Sequence, residues 1–291
     1  MLNERDWEQI RALQQEVEQA DGISLKLNWD MLRSRRPGDR DDFVFRKDGR
    51  IAGFLALYDF ASKIEVCGMV APSLRRQGIF SALLAEALPA ERACQYKDIL
   101  FNLPARSSSG RGFVESLGLK LTFTEYQMKF NPELIGELRP ALQEITLRPA
   151  RMEDWDYLID LEIDGFGFTR EEAAKLNEEA LRKNAEAGTN EILFVIELQG
   201  QNAGNVRVQY ESHESWIYGF VIDKSRRGRG IGRSVLTHLV NEEQPKGRDV
   251  FLEAALENER ALHLYQSCGF ERVQVQEYYR YHPRYLQAAK R

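Results

Sequence analysis

The chain has 291 residues, 43% of them hydrophobic, and a net charge of −5. That length suits two domains, the acidic balance argues against a general nucleic-acid binder, and no run of about 18 apolar residues is available to span a membrane. Three widely spaced cysteines (Cys67, Cys94, Cys268) and a charged start, MLNERDWEQI, point to reduced thiols in a cytoplasmic protein without a signal peptide, and the scattered histidines give no metal site.

In chain order, Trp7, Ile10, Leu13 and Val17 stand at helical spacing and predict an amphipathic helix over 6–20. Residues 30–42, rich in Arg, Asp, Pro and Gly, read as an exposed loop. Strands are expected over 43–45 and 51–58, joined by the turn Lys47-Asp48-Gly49-Arg50, which is a hairpin signal. Another strand follows over 64–70, and Arg75-Arg76-Gln77-Gly78-Ile79-Phe80 then opens a helix.

Pro132 and Pro140 mark 131–144 as a linker. Beyond it, a strand over 145–149 and a helix over 154–162 are expected. Gly165-Phe166-Gly167-Phe168 breaks that helix, and a charged helix occupies 171–187. A hairpin over 192–198 and 203–210 turns at Gln199-Gly200-Gln201-Asn202.

The run from Trp216 to Ile222 is apolar and aromatic and reads as a buried strand. Arg227-Gly228-Arg229-Gly230-Ile231-Gly232 then leads into a helix over 233–243. Such a glycine-rich strand-to-helix turn directs backbone N–H groups and the positive end of the helix dipole at one spot, an anion site suited to pyrophosphate. The glycines fit neither a nucleotide-triphosphate loop nor the G-x-G-x-x-G dinucleotide fingerprint. Downstream, VFLEAALENERALHLYQSCGF reads as strand, short helix, Gly269 at the helix end and a further strand.

The Arg-x-x-Gly-x-Gly loop, followed by Leu252, Glu253, Asn258, Ala261, Leu264, Tyr265, Gly269 and Phe270 in the pattern L-E-x-x-x-x-N-x-x-A-x-x-L-Y-x-x-x-G-F, resembles the GCN5-related N-acetyltransferases (GNATs). The resemblance implies acetyl-CoA as co-substrate. Its pyrophosphate would lie on Arg227, Gly228, Arg229, Gly230, Ile231, Gly232, Arg233 and Ser234, and its pantetheine arm and thioester along Phe220, Val221 and Ile222. A bulge at Gly219 would suit that arrangement. By similarity to the ribosomal-protein alanine N-acetyltransferases, Glu253 is the expected general base and Tyr265 the general acid. Asn258 caps the short helix or contacts the co-substrate. A structural carboxylate remains the competing reading of Glu253, and packing that of Tyr278, Tyr279 and Tyr281.

Arg75 matches Arg227 and Gly78 matches Gly230 at one offset of 152 residues, and Gly118 matches Gly269 at 151. Such a repeat is an internal duplication. Two α/β domains are expected, 1–138 and 145–291, each a mixed, mostly antiparallel twisted sheet flanked by helices. The first copy carries Val114, Ser107 and Asn102 where the second has Tyr265, Asn258 and Glu253, and Phe80 in place of Gly232. It is therefore read as degenerate, with Val70, Arg75, Gln77 and Gly78 left as a second co-substrate site and Phe80 narrowing the path.

The expected function is acetyl transfer by the second copy to a primary amine, either of a small molecule or of a protein N-terminus. Nucleic-acid and membrane partners are not expected, and oligomeric state is not legible. Two alternatives stand beside this: a non-catalytic acyl-CoA sensor, and an aminoacyl or peptidyl transferase of the tandem type.

Overall fold

A computed structural model describes residues 2–35, 38–60, 63–135 and 145–281. Most of the expected linker, residues 136–144, lies outside them, as do residues 36 and 37 of the expected loop. The chain divides into two compact units. The first holds the residues up to Thr124 together with those from Gln274 onward, and the second holds Glu125–Val273.

The first unit begins with helix α1 (Glu4–Asp21) and the short α2 (Trp29–Arg33). Asn3 and Asp6 form a capping box at the start of α1, and Ile10, Leu13 and Val17 line its buried face. Strands β1 (Asp42–Lys47), β2 (Arg50–Phe60) and β3 (Lys63–Val70) follow. The β1–β2 turn places Asp48 and Gly49 at φ 50° and 75°, the left-handed pair that a two-residue hairpin requires. Helices α3 (Ile79–Ala87) and α4 (Ala90–Ala93), strand β4 (Asp98–Pro104), helix α5 (Ser108–Ser116) and the start of β5 (Lys120–Phe130) complete the first half of the chain. β1 and β2, and β2 and β3, pair antiparallel, while β3 and β4 pair parallel. The end of β11 (Phe270–Tyr281) pairs antiparallel with β4, from Gln276↔Pro104 to Tyr281↔Ile99.

The second unit repeats this plan with β6 (Ile145–Pro149), α6 (Trp155–Phe166), α7 (Arg170–Asn184), β7 (Glu191–Leu198), β8 (Gln201–Tyr210), β9 (Glu214–Ile222), α8 (Ile231–Glu243), β10 (Asp249–Ala255) and α9 (Glu259–Ser267). β6 to β9 pair antiparallel in sequence, β10 pairs parallel with β9, and the end of β5 pairs antiparallel with β10. Each unit is thus the expected mixed, mostly antiparallel sheet with flanking helices.

The compact units do not follow the expected division at 138 and 145. β5 leaves the first unit after Thr124, and β11 leaves the second after Val273, so each sheet takes its last strand from the other half of the chain.

Two further details differ from the sequence reading. α6 runs through Gly165 and Phe166 and ends at Gly167, which is left-handed at φ 69°. Gly165 is a packing glycine rather than a break, because a Cβ there would stand 2.5 Å from the Val221 side chain. α8 starts at Ile231 rather than 233, since Gly230 already supplies its left-handed N-cap.

Candidate functional site

In the second unit, β9 ends at Ile222 and a short turn follows. There the Asp223 side chain accepts hydrogen bonds from the Ser225 N–H (2.8 Å) and hydroxyl (2.6 Å). Gly228 and Gly230 hold φ of 80° and 79°, and no side chain caps the N-terminus of α8. A Cβ at Gly228 would meet nothing within 4 Å. The first N–H groups of α8 are thus left without a capping side chain, the arrangement that receives a phosphate.

The arginines of this loop are mostly engaged elsewhere. Arg227 donates from Nε to the Ile222 carbonyl (2.8 Å) and pairs with Asp164 at the end of α6. Arg233 bonds the Ser267 carbonyl (2.8 Å) and hydroxyl (2.7 Å), which closes the C-terminal end of α9. Arg226 bonds Gln201 (2.8 Å). Arg229 is exposed and has no ion pair among the described residues. Ser234 is buried beneath the loop, with Oγ 3.3 Å from the Gly230 carbonyl. Gly232 lies inside α8, where a Cβ would stand 3.0 Å from Leu264 of α9, so its smallness serves helix packing.

Below the loop the sheet opens. β9 and β10 pair from Glu214↔Asp249 to Ile217↔Leu252 and no further. Glu253 is the first β10 residue past that pairing. Its carboxylate accepts from Gln127 Nε2 of β5 at 2.9 Å. Val250, Leu252 and Ala254 join the core that α8 and α9 cover, so Phe251 and Glu253 take the opposite face by strand alternation. Tyr265 of α9 belongs to the core side, with its ring 6.4 Å from that of Phe270. The expected base and acid therefore lie on opposite faces of the sheet. Burial, with a smaller contribution from Cys268, pushes the Tyr265 hydroxyl up to about 12, and it has no hydrogen-bond partner among the described residues. Asn258 caps α9 by accepting from the Ala261 N–H (3.1 Å), which is the capping reading.

β9 also carries the bulge expected near Gly219. Asn205 pairs with Val221 and Arg207 with Tyr218, so three residues of β9 span two steps of β8, and Gly219 takes φ 50°. Asn205 Nδ2 donates to the Gly219 carbonyl at 3.0 Å. Glu162 of α6 is nearly fully buried beside it, its Oε1 3.9 Å from where a Gly219 Cβ would stand. Burial raises its carboxyl above the usual range, partly opposed by Arg207 and by a hydrogen bond with Asn205. Neither residue was singled out from the sequence. The available signal was an acidic residue four positions after Leu158, on the apolar stripe of α6.

The first unit repeats the frame with different side chains at the matching positions. Arg75 repeats the role of Arg227, bonding the Val70 carbonyl (3.2 Å) and both oxygens of Asp21 (2.8 and 2.9 Å). Gly78 takes φ 78° as the N-cap of α3, and Arg76 is held at φ 63° where the second half has Gly228. β3 and β4 pair only as far as Val66↔Phe101. A cleft of about 440 Å³ lies there, lined by Val70, Arg75, Gly78, Phe80, Asn102 and Val114 among others; Gln77 is exposed on the loop. Val114 is buried where Tyr265 stands in the other copy. Asn102 Nδ2 donates to the Tyr278 hydroxyl at 3.2 Å, as Gln127 does to Glu253. Tyr278 stacks on Phe123 (4.4 Å), while Tyr279 and Tyr281 pack into the core against α3 and α5.

Phe80 lines this cleft, and its ring also packs over Gly68. A Cβ on Gly68 would lie 2.8 Å from the Phe80 ring, and one on Gly232 would lie 3.8 Å from the Phe220 ring. At the same offset of 152 residues the two halves have exchanged a glycine and a phenylalanine, and the ring fills one place from either side.

Two family profiles match the chain: "Acetyltransferase (GNAT) family" over residues 5–109 and "Acetyltransferase (GNAT) domain" over residues 189–272. The mycothiol acetyltransferase of Actinosynnema mirum is 25% identical over 283 residues, 93% of this chain and 94% of that protein. The ribosomal protein bS18 alanine N-acetyltransferase of Escherichia coli K12 is 27% identical over 93 residues, 32% of this chain and 63% of that protein. Among solved structures, a GCN5-related N-acetyltransferase from Sphaerobacter thermophilus superposes with TM-score 0.72 at 20% identity, covering 94% of this chain and 92% of that one. A tandem GNAT protein from the clavulanic acid biosynthesis pathway gives 0.69 at 18% identity, covering 97% and 96%. With a GNAT profile matching in each half and the sheet, loop and helix plan repeated, the chain belongs to the GNAT superfamily as a tandem member and is a GNAT-family N-acyltransferase.

Proposed function

We propose that the second half transfers an acetyl group from acetyl-CoA to a primary amine, of a small molecule or of a protein N-terminus. The observation that carries this reading is the uncapped N-terminus of α8 after a strand that is bulged and splayed from its neighbour, with Glu253 just past the end of their pairing. The pyrophosphate would rest on the amides of Gly230, Ile231 and Gly232, with Arg229 free to reach it, while Arg227 and Arg233 brace the loop. The pantetheine arm would follow the open edge of Phe220, Val221 and Ile222.

Glu253 takes a proton from the incoming ammonium, either directly or through water. The free amine forms the C–N bond at the thioester carbonyl, and backbone N–H groups of β9 stabilise the oxyanion. As the C–S bond breaks, Tyr265 gives its proton to the leaving thiolate; the excess proton on the newly acylated nitrogen passes to solvent, and the tyrosinate is reprotonated from it. With its pKa at about 12 that proton is present throughout the neutral range, and each such group contributes roughly 10²–10⁴-fold. The mycothiol acetyltransferase and the bS18 alanine acetyltransferase support these two acceptor classes. Screening primary amines for thiol release from acetyl-CoA tests the reading; no release with either class, despite acetyl-CoA binding, would count against it.

A second reading applies to the first half alone. Its cleft and loop support binding of a coenzyme A thioester at Val70, Arg75 and Gly78 without turnover, since Val114 and Asn102 supply neither acid nor base.

A further inference from the structure

Glu162, Asn205 and Gly219 form a contact chain that only one half of the protein has. In the first unit, β2 and β3 pair in unbroken register from Phe60↔Lys63 to Gly53↔Val70. Phe54 pairs with Met69 there as Asn205 pairs with Val221 in the second unit. A fully buried phenylalanine thus stands where the second unit buries an asparagine. The fold forms without the polar device, so a requirement of folding does not account for it. Burying Asn205 and Glu162 has a cost, because the Asn205 Oδ1 atom is buried without a partner and burial disfavours the ionised form of Glu162. The device occurs in the half that also carries Tyr265 and Glu253.

Its geometry gives it a task. The carbonyl of Gly219 and the N–H of Phe220 share one peptide plane, and no peptide bond among the described residues is cis. In a trans peptide these two groups point in opposite directions. Asn205 lies on β8 and holds the Gly219 carbonyl on that side. The Phe220 N–H must then point away from β8, toward the side where pairing with β10 has stopped at Ile217↔Leu252. The left-handed Gly219, at φ 50°, frees this peptide from the register of its neighbours. Without a fixed partner for its carbonyl, the plane could rotate.

We propose that Asn205, steadied by Glu162, is a positioning residue for acyl transfer, clamping the Gly219–Phe220 peptide so that the Phe220 N–H is fixed as a donor to the thioester carbonyl. This rests on the reading that the thioester lies along β9. Neither side chain needs to touch the substrate; both act through the backbone.

The test is isotope-edited infrared spectroscopy of acetyl-CoA labelled with ¹³C at the thioester carbonyl, bound to the full chain, with affinity measured by calorimetry. The parent protein should shift the carbonyl band to lower wavenumber. Asn205→Leu should return it to the position in water while acetyl-CoA affinity is retained, and should lower turnover with an amine acceptor by about 10²-fold, the low end for losing one oxyanion donor. Glu162→Leu should shift the band partway back. Glu162→Gln, which keeps an oxygen acceptor for Asn205, should recover most of what Glu162→Leu loses, and it serves as the test if Asn205→Leu does not fold. A band from acetyl-CoA in the first half's cleft would not move under any of these changes, because both residues lie in the second unit. If Asn205→Leu folds, binds acetyl-CoA and leaves the shifted band where it was, the proposal is wrong. It also fails if Glu162→Gln loses the shift as fully as Glu162→Leu. Failure of the parent protein to bind acetyl-CoA at all would overturn the functional reading itself, and this inference with it.

Discussion

The ring of Phe80 lies over Gly68, so close that a Cβ on that glycine would stand 2.8 Å from it. The ring is held by an edge-to-face contact with Phe113, at 4.8 Å, and plugs the space beside the β3–β4 splay. Phe80→Ala should therefore lower stability by about 3 kcal/mol or more, seen as an earlier urea midpoint. It should not act as the removal of an obstruction: any coenzyme A bound in the first cleft should be held no more tightly. Tighter binding would restore the view of Phe80 as a block.

Replacing Gly230 with valine puts a branched side chain at φ 79°, where only glycine is comfortable, and beside the free amides of α8. Acetyl-CoA affinity of the second half should fall by about tenfold or more, since helix N-terminal amides serve as the anion site only while the backbone can be approached. Calorimetry decides this, and unchanged affinity there would refute the loop assignment.

Tyr265→Phe should keep acetyl-CoA affinity and lower turnover by about 10²-fold. Because burial pushes the hydroxyl up to about 12, the parent rate should show no loss from this group below roughly pH 10. Gly78→Trp in the first half should leave the chemical step far less affected. The opposite pattern, a normal Tyr265→Phe and an inactive Gly78→Trp, would move the chemistry to the first half.

Asp154 and Glu162 are buried carboxylates with opposite pH signatures. Burial alone would raise Asp154, but hydrogen bonds from Arg148 and the Arg151 backbone outweigh it and hold the carboxyl below its usual range. Its contribution is therefore present above the unfolded pKa, near ~3.9, and is lost as pH falls through the lower folded value. Asp154→Asn should cost about 3 kcal/mol near neutrality, and less as the solution is acidified. Burial raises Glu162, so its penalty grows as pH rises from the unfolded pKa, near ~4.3, to the folded one. Glu162→Gln should accordingly unfold at higher temperature than the parent at neutral pH, with the gap closing near pH 4. Melting curves across that range check both signs.

Much of the frame was legible because it is local. The hairpin at Asp48-Gly49, the apolar stripe of α8 and the left-handed glycines at 230 and 269 are each specified within a few neighbouring residues. The directions of long side chains were not: spacing alone does not say that Arg227 turns back to Asp164 or that Arg233 reaches Ser267. The exchange of Gly68 and Phe80 for Phe220 and Gly232 looks like damage when one position is read at a time, and becomes conservation of volume only in space. Glu162 was hidden because its meaning depends on Gly219, whose bulge shifts one strand against another. Periodicity also does not say which strand will be a neighbour, so the division at Thr124 and Val273 was beyond it.

That division has a consequence for synthesis. The partner of β4 lies about 170 residues downstream, Pro104 pairing with Gln276, an interval of roughly 10–30 s at ribosomal rates of about 5–20 residues per second. For that time the first half emerges with the edge of its sheet uncovered, a surface prone to pairing with other chains. The amino-terminal copy cannot be completed until the carboxy-terminal one has been translated, and the second in turn needs Gln127 from the first to bond Glu253. With strands exchanged in this way, deleting either copy would remove a strand from the other. This gives a physical reason for both halves to persist together, whatever each one does.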